Sequence, residues 1–414
     1  MQTKYLILGA GPAGASAIRG IRKEDDQGKI VIVGDEPYRT YSLPLLTKGY
    51  IQGRFREDGI YLVGEDFYEK NGATFLKERR AVNVEPEDNL AALDDGTEIH
   101  YEKLLVSTGG RPRKFNIPGS GLKGIYYLRT LDDANEIIKA AGNVKEAVVI
   151  GGSFIGVELA VALREIGLTV KLVMLERYVW ESLLPESVGN YLMEKLLEGR
   201  IQIFPEEKVI WFEGENEWVR KVKTESGKTF KSDFVCVGIG LILNTDFLKG
   251  TAIVLNQGVL VNEFLETNIK GIYAAGDVAE FNDLILGKNH LVGHIENANL
   301  QGQVAGRNMV GAEIQYAEVT GYDSEIFGEP LIFIGALEYG SEHWIRGKQG
   351  ESPIGSFSLR DGRIVGTFFL KPKGKEIRAV RELLKNRDVD IRKYEDELKD
   401  PETDLATFVK SIKG

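Results

Sequence analysis

The stretch AVVIGGSFIGVE, residues 147–158, decides the fold: a short apolar strand, a glycine-rich turn and the start of a helix, in that order. That order is the context in which such a turn binds a dinucleotide and is not a loose connection. Gly151, Gly152 and Gly156 frame the turn, but Ser153 stands where the G-x-G-x-x-G pattern has its second glycine. The Ser153 hydroxymethyl group either crowds a pyrophosphate or donates a hydrogen bond to it. The helix SFIGVELAVALREIG carries Phe154, Ile155 and Glu158, and TVKLVMLE returns as a strand ending at Glu176.

A second copy opens the chain. KYLILG is a strand, Gly9-Ala10-Gly11-Pro12-Ala13-Gly14 is a complete G-x-G-x-x-G, ASAIRGI continues as helix, and KIVIVGDE returns to end at Glu36. Gly9 permits the tight turn, Gly11 lets the backbone reach a pyrophosphate, and Gly14 lets the helix pack on the strand. The helix N-terminus offers N–H donors and partial positive charge to the phosphates. Glu36 is placed to accept from ribose hydroxyls, and Glu176 closes the second unit in the same way. An internal repeat of this kind implies two related ligands on one chain.

With 414 residues there is room for two or three domains with a buried core, and 43% hydrophobic with 28% charged residues describes a soluble globular protein. The net charge of −10 argues against a general nucleic-acid binder, which needs a basic footprint. The lone Cys236 excludes an intramolecular disulfide, a redox-active cysteine pair and a cysteine-rich metal site. Met1 runs almost directly into a strand, so no signal peptide is expected, and no run reads as a membrane span. A cytoplasmic protein without membrane attachment is the expectation. His290 and His294, near Glu296, read as pocket lining or a satisfied polar cluster, and no metal site is expected.

Between the repeats, residues 37–53 (PYRTYSLPLLTKGYIQG) are aromatic and leucine-rich without helix or strand period, suiting a wall along a large flat ligand. KLLVSTGG ends a strand at Thr108-Gly109, and FVCVGIG ends another at Gly238. Residues 205–235 read as an antiparallel excursion. YAAGDVAEF delivers Gly276-Asp277 at a strand's C-terminal end, where ligands of open α/β sheets bind. A helix follows over 296–309, then β-rich segments with hairpin turns over 327–370. From 371 the pattern is charged and helical, a solvated face by default.

This ordered set (GAGPAG, YSLPLLTK, LLVSTGG, GGSFIGVE, VCVGIG, YAAGDVA and a small C-terminal sheet) resembles the FAD-dependent pyridine nucleotide-disulfide oxidoreductases. The similarity is to their ferredoxin reductase, rubredoxin reductase and NADH oxidase-like branch without redox cysteines, over roughly residues 3–370. The resemblance implies an α/β fold with two Rossmann-like domains and a small C-terminal α+β domain. FAD would occupy a domain formed by 1–115 and 245–320, NADH or NADPH one formed by 116–244, and 321–414 would complete the chain.

Gly9, Gly11, Pro12, Ala13, Gly14 and Glu36 would then hold FAD, with Thr108, Gly109, Gly276 and Asp277 along the flavin and ribityl chain. Pro44, Val82 and Arg129 join the cofactor-binding candidates. Gly151, Gly152, Ser153, Phe154, Ile155, Gly156, Glu176 and Gly238 would serve the nicotinamide dinucleotide. Lys48 stands at the lysine of the family's P-x-L-[ST]-K element and Glu158 at the acid of the second glycine motif; in the family these two pair beside the flavin, which makes them the catalytic candidates.

Two departures count. Residues 41–44 are YSLP where a redox cysteine stands in the cysteine-bearing subfamily, so electrons must leave directly from the flavin. Met174 occupies the usual ribose-acid position of NADH-preferring members, leaving either Glu176 to serve a ribose or Arg177 to greet a 2′-phosphate, with NADH the expectation and NADPH the alternative. The expected activity is an NAD(P)H:acceptor reductase serving a ferredoxin- or rubredoxin-type protein. The alternatives are an oxidase giving peroxide from O2 and a low-turnover, redox-controlled binding flavoprotein; homo-oligomer formation is left open. An acidic carrier needs a basic patch, for which Arg111/Arg113/Lys114 and Lys371/Lys373/Lys375 are the candidates.

Overall fold

Every residue of the strand Ile30–Val33 is buried, because a parallel strand is covered on both faces and must be apolar throughout. The structure, a computed structural model, describes residues 1–348, 352–386 and 389–412. The chain groups into two units: Met1–Ser42, Glu57–Arg111 and Leu241–Thr320 form the first, and Leu43–Arg56, Pro112–Gly240 and Gly321–Gly414 the second.

The first unit is built on a parallel sheet in the order Ala73–Leu76, Ile30–Val33, Gln2–Leu8, Glu98–Val106. The C-terminal half of Glu98–Val106 also pairs in parallel with Ile272–Ala274, while its N-terminal half pairs antiparallel with Leu90–Leu93. Leu8 sits in register with both Val33 and Val106, so the first glycine turn leaves the sheet between two neighbours. The helices Pro12–Glu24 and Ile295–Val310 meet backbone to backbone: a Cβ added at Gly302 would lie 2.2 Å from the Ala13 carbonyl oxygen, and one at Gly306 2.2 Å from that of Ala17. Only hydrogen fits between them.

The second unit repeats the theme with a parallel sheet, Gln202–Phe204, Thr169–Val173, Glu146–Ile150, Val235–Val237, Ile125–Tyr127. The expected excursion is an antiparallel sheet of Val209–Glu215, Trp218–Thr224 and Thr229–Lys231. The C-terminal segment forms a five-stranded antiparallel sheet in the order Gly321–Ile326, Glu329–Gly335, Arg363–Leu370, Gly355–Arg360, Glu342–Arg346.

The tail departs from the expected solvated face. In the helix Gly374–Lys385, Ala379, Val380, Leu383 and Leu384 are buried, as are Leu398, Leu405, Phe408 and Val409 further on. Their i, i+3, i+4 spacing makes one apolar stripe among the charges, and burying that stripe outweighs the charge density around it. Arg346, 1% exposed, holds the tail by donating to the carbonyls of Leu398, Asp400 and Thr403 at 2.9, 2.6 and 2.7 Å.

Gly302→Ala should destabilise the protein by about 1–3 kcal/mol through overpacking against Ala13. Gly142→Ala should be neutral or slightly stabilising, because φ there is −64° and the nearest atom to an added Cβ, the Lys139 carbonyl oxygen, lies 3.7 Å away. Urea denaturation of the two variants checks both; equal midpoints would contradict the tight helix contact.

Candidate functional site

Both glycine turns are built alike. Gly9 has φ +113° and its added Cβ would fall 2.2 Å from the Ser107 carbonyl oxygen; Gly151 has φ +120° and its Cβ would fall 2.2 Å from that of Gly238. Gly9 N–H donates to Val33 at 2.8 Å and Gly151 N–H to Val173 at 2.9 Å, each tying the turn to the returning strand. A Cβ at Gly14 would lie 2.1 Å from the Gly9 carbonyl oxygen, and one at Gly156 2.0 Å from that of Gly151. Gly238, a sequence candidate, thus forms the wall that demands glycine at 151.

The middle position differs from the flanking ones. Gly11 (φ −76°, ψ −170°) and Ser153 (φ −103°, ψ −168°) share an extended backbone at the start of their helices. An added Cβ at Gly11 meets nothing within 4 Å, so this side of the turn is open and a serine side chain is sterically accepted at its counterpart. Ser153 makes no capping hydrogen bond and is half-buried at the start of its helix. Phe154 takes the place of Pro12 and packs edge-on against Tyr322, with ring centroids 4.7 Å apart. Ile155 is half-buried beside it.

The terminal acids fall in the same register. Leu8 pairs with Val33 and Ile150 with Val173, and each acid follows three residues later, at Glu36 and Glu176. Tyr41 donates to Glu36 at 2.8 Å, and Gly152 N–H donates to Glu176 at 3.3 Å. Met174 is wholly buried, so an acid there would lie in the interior of the unit as it stands. Arg177 is engaged by Glu181, its Nε donating at 2.6 Å and its backbone N–H at 3.0 Å.

In the first unit a cavity of about 470 Å³ opens at the strand ends, lined by Gly9, Val33, Asp35, Val82 and Thr108 among others. Thr108 and Gly109 are tied to Asn244: Thr108 Oγ1 donates to its carbonyl at 2.7 Å, and Asn244 N–H donates to Gly109 at 2.9 Å. Gly276 is buried, with its N–H donating to Gln301 at 2.8 Å, and Asp277 is half-buried beside it. Ala13 is buried just inside the helix that begins at Pro12. The open Gly11 face and this cavity fit the pyrophosphate and adenosine portions of a dinucleotide.

The second unit gathers the charged residues. Glu158 is buried on the helix Phe154–Glu165 and accepts from Thr47 Oγ1 at 2.6 Å and Ser324 Oγ at 2.9 Å. Lys48 does not donate to it; the ammonium donates to Asp323 Oδ2 at 2.6 Å and to the Asp323 carbonyl at 2.7 Å. The expected Lys48–Glu158 ion pair is therefore replaced by Lys48–Asp323, because the strand Gly321–Ile326 brings both a carboxylate and a hydroxyl to this place. Burial raises the Glu158 carboxyl above the usual glutamate range, against the opposing pull of the Lys48 charge and the two hydroxyl donors. Pro44 accepts from Thr47 at 3.2 Å. Arg129 contributes its backbone N–H to Asp133, beside the capping box that starts Leu131–Ala141.

Thr47 was legible as the hydroxyl residue of the P-x-L-[ST]-K element, whereas nothing in the sequence pointed to Asp323 or Ser324. Cys236 is buried, and burial pushes its thiol pKa up, so it is no nucleophile. His290 Nδ1 lies 3.2 Å from Asp283 Oδ2. Among the described residues no group of three or more His, Cys, Asp or Glu side chains is arranged to hold a metal.

Two glycine turns of matched construction mark a protein of the class that holds two dinucleotides on one chain. A model of the family described as pyridine nucleotide-disulphide oxidoreductase matches residues 3–302. NADH-rubredoxin oxidoreductase of Clostridium acetobutylicum is 36% identical over 318 residues, covering 77% of this chain and 77% of that protein. The crystal structure of a ferredoxin reductase from Rhodopseudomonas palustris is 25% identical with a TM-score of 0.92, covering 98% of this chain and 100% of that one. The reductase of a covalent putidaredoxin reductase–putidaredoxin complex is 25% identical with a TM-score of 0.93, covering 100% and 99%. The chain belongs to the pyridine nucleotide-disulphide oxidoreductase family. It is an oxidoreductase that uses FAD and a nicotinamide dinucleotide.

A buried acid with a raised pKa keeps its proton where the unfolded chain has lost it. Its contribution to stability is complete below the ordinary glutamate range and falls as pH rises. Glu158→Gln should therefore gain on the wild type in urea midpoint as pH is raised above the ordinary glutamate range. Parallel curves would remove the raised pKa from the account.

Proposed function

We propose that this protein takes hydride from NADH and passes electrons from its flavin to a small electron-transfer protein of ferredoxin or rubredoxin type, in the cytoplasm. The observation that carries the reading is the pair of glycine turns with acids in equal register, in a chain whose lone thiol is buried. Bound FAD supplies a centre that accepts a hydride and releases electrons singly.

In this reading FAD belongs to 1–115 and 245–320, with Gly9, Gly11, Pro12, Ala13 and Gly14 at its pyrophosphate and Glu36 at its adenosine ribose. Thr108, Gly109, Gly276 and Asp277 line the flavin half, with Pro44, Val82 and Arg129 as further contacts. NADH belongs to 116–244, where Gly151, Gly152, Ser153, Phe154, Ile155, Gly156 and Gly238 form the turn and its wall. The C-terminal domain is 321–414. Lys48 serves the flavin: its positive charge favours the reduced, negatively charged form, and Glu158 anchors the surrounding hydroxyls. NADH is favoured over NADPH because Glu176 repels a 2′-phosphate and Arg177 is already held by Glu181.

The acceptor rests on the relatives. NADH-rubredoxin oxidoreductase is named for rubredoxin, and the putidaredoxin reductase structure holds putidaredoxin. O2 is the second reading, favoured by the surface charges. Half of the six basic residues expected to dock an acidic carrier are paired with acids: Arg111 with Asp246 at 2.7 Å, Lys371 with Glu329 at 2.8 Å, and Lys375 with Asp404.

Glu176→Ala should weaken NADH binding about tenfold, or about 1.4 kcal/mol, with little loss for NADPH, read by fluorescence titration. An equal loss for both nucleotides would remove Glu176 as the discriminator. After anaerobic reduction by NADH, stopped-flow mixing with a rubredoxin or ferredoxin should reoxidise the protein faster than air does. The reverse order would make it an oxidase.

A further inference from the structure

Lys48 is surrounded by two carboxylates but engages only one. Its side chain is 12% exposed, and its ammonium is fixed by the side chain and the backbone carbonyl of Asp323, whose own side chain is 72% exposed. Glu158, the buried acid, accepts one hydroxyl at each oxygen: Thr47 at Oε2 and Ser324 at Oε1. Ser324 follows Asp323 on the same strand, and Thr47 precedes Lys48 in the same turn. Adjacent residues of one strand thus divide the work, Asp323 taking the ammonium and Ser324 the buried carboxyl. The turn itself is unusual: Lys48 lies at φ −98°, ψ 38° and Gly49 at φ 150°, so the lysine is presented from an irregular backbone that needs an external anchor. The next ion pairs outward, Arg54 with Glu165 and with Glu325, keep their own partners and leave Lys48 to Asp323.

We propose that Asp323 is a positioning residue for the redox reaction: it holds the Lys48 ammonium and offsets its charge, and so sets how strongly Lys48 favours reduced flavin. This rests on the reading that Lys48 serves the flavin. Two bonds join the partners, and only one carries charge. Asp323→Asn keeps the backbone carbonyl that accepts from Lys48 and removes the anion, so the lysine stays placed while its charge is less compensated. The exposed side chain makes the substitution tolerable to the fold.

The test is the flavin midpoint potential of the FAD-loaded protein at low ionic strength, measured for wild type, Asp323→Asn, Asp323→Glu and Lys48→Met. Asp323→Asn should raise the equilibrium constant for reduction about fivefold, equal to about 20 mV for a two-electron couple. Asp323→Glu should restore the wild-type value, and Lys48→Met should lower it. If Lys48→Met lowers the potential while Asp323→Asn leaves it unchanged or lowers it, the role of Asp323 is overturned. If Lys48→Met also has no effect, the reading of Lys48 itself has failed and the proposal falls with it. A merely structural Asp323 would move the urea midpoint and leave the potential alone.

Discussion

The structure depends on carbonyl oxygens placed where a side chain would otherwise stand. Ser107 faces Gly9, Gly238 faces Gly151, and each turn folds back so that its first glycine's carbonyl faces the last glycine, Gly14 or Gly156. These approaches fix how strand, turn and helix sit against one another, and at Gly11 the middle of the first turn stays open, an added Cβ meeting nothing within 4 Å. A helix N-terminus directed at open space is then available to a pyrophosphate. The same backbone closeness recurs between the helices Pro12–Glu24 and Ile295–Val310, where Gly302 and Gly306 meet Ala13 and Ala17. The chain's many glycines reflect, at these positions, the amount of backbone brought into direct contact.

Charge is placed with equal economy. The acids Glu36 and Glu176 follow their strands by the same interval, so the two sites offer carboxylates at equivalent points of equivalent frames. Lys48 and Glu158 share a neighbourhood without sharing a bond, and Asp323 and Ser324 separate them. Such an arrangement satisfies the buried acid with neutral donors, a less costly solution than burying a full ion pair. The single thiol is sunk in the second unit's sheet, so a thiol relay is not open to it and electron transfer would fall to FAD and the nicotinamide dinucleotide when bound.

Much of the fold was legible because the motifs are local. Apolar runs bounded by glycines announce buried parallel strands, and the acid at the end of each returning strand is a matter of counting along a β-strand. The antiparallel excursion and the C-terminal sheet follow from the same patterns, whereas the strand order, set by pairings between distant segments, appears only in the structure. The tail is the clearest miss: its charge density hid a stripe of Val380, Leu383 and Leu384 that packs inward, and the clamp formed by Arg346 lies more than fifty residues before the carbonyls it holds.

By itself, the sequence determined that two dinucleotide turns exist, which acids close them and that no second thiol is available. These are properties of short segments, settled by the steric demands of glycine and the spacing of apolar residues. Only the tertiary structure decided which carboxylate carries Lys48, why Met174 is interior, and that Arg177 is already taken by Glu181. Hydrogen-bond partners such as Asp323 come from strands distant in the chain, and hydrogen bonds are selected by distance and direction in space. That is why Glu158, marked by its motif as the partner of Lys48, is held by Thr47 and Ser324 instead.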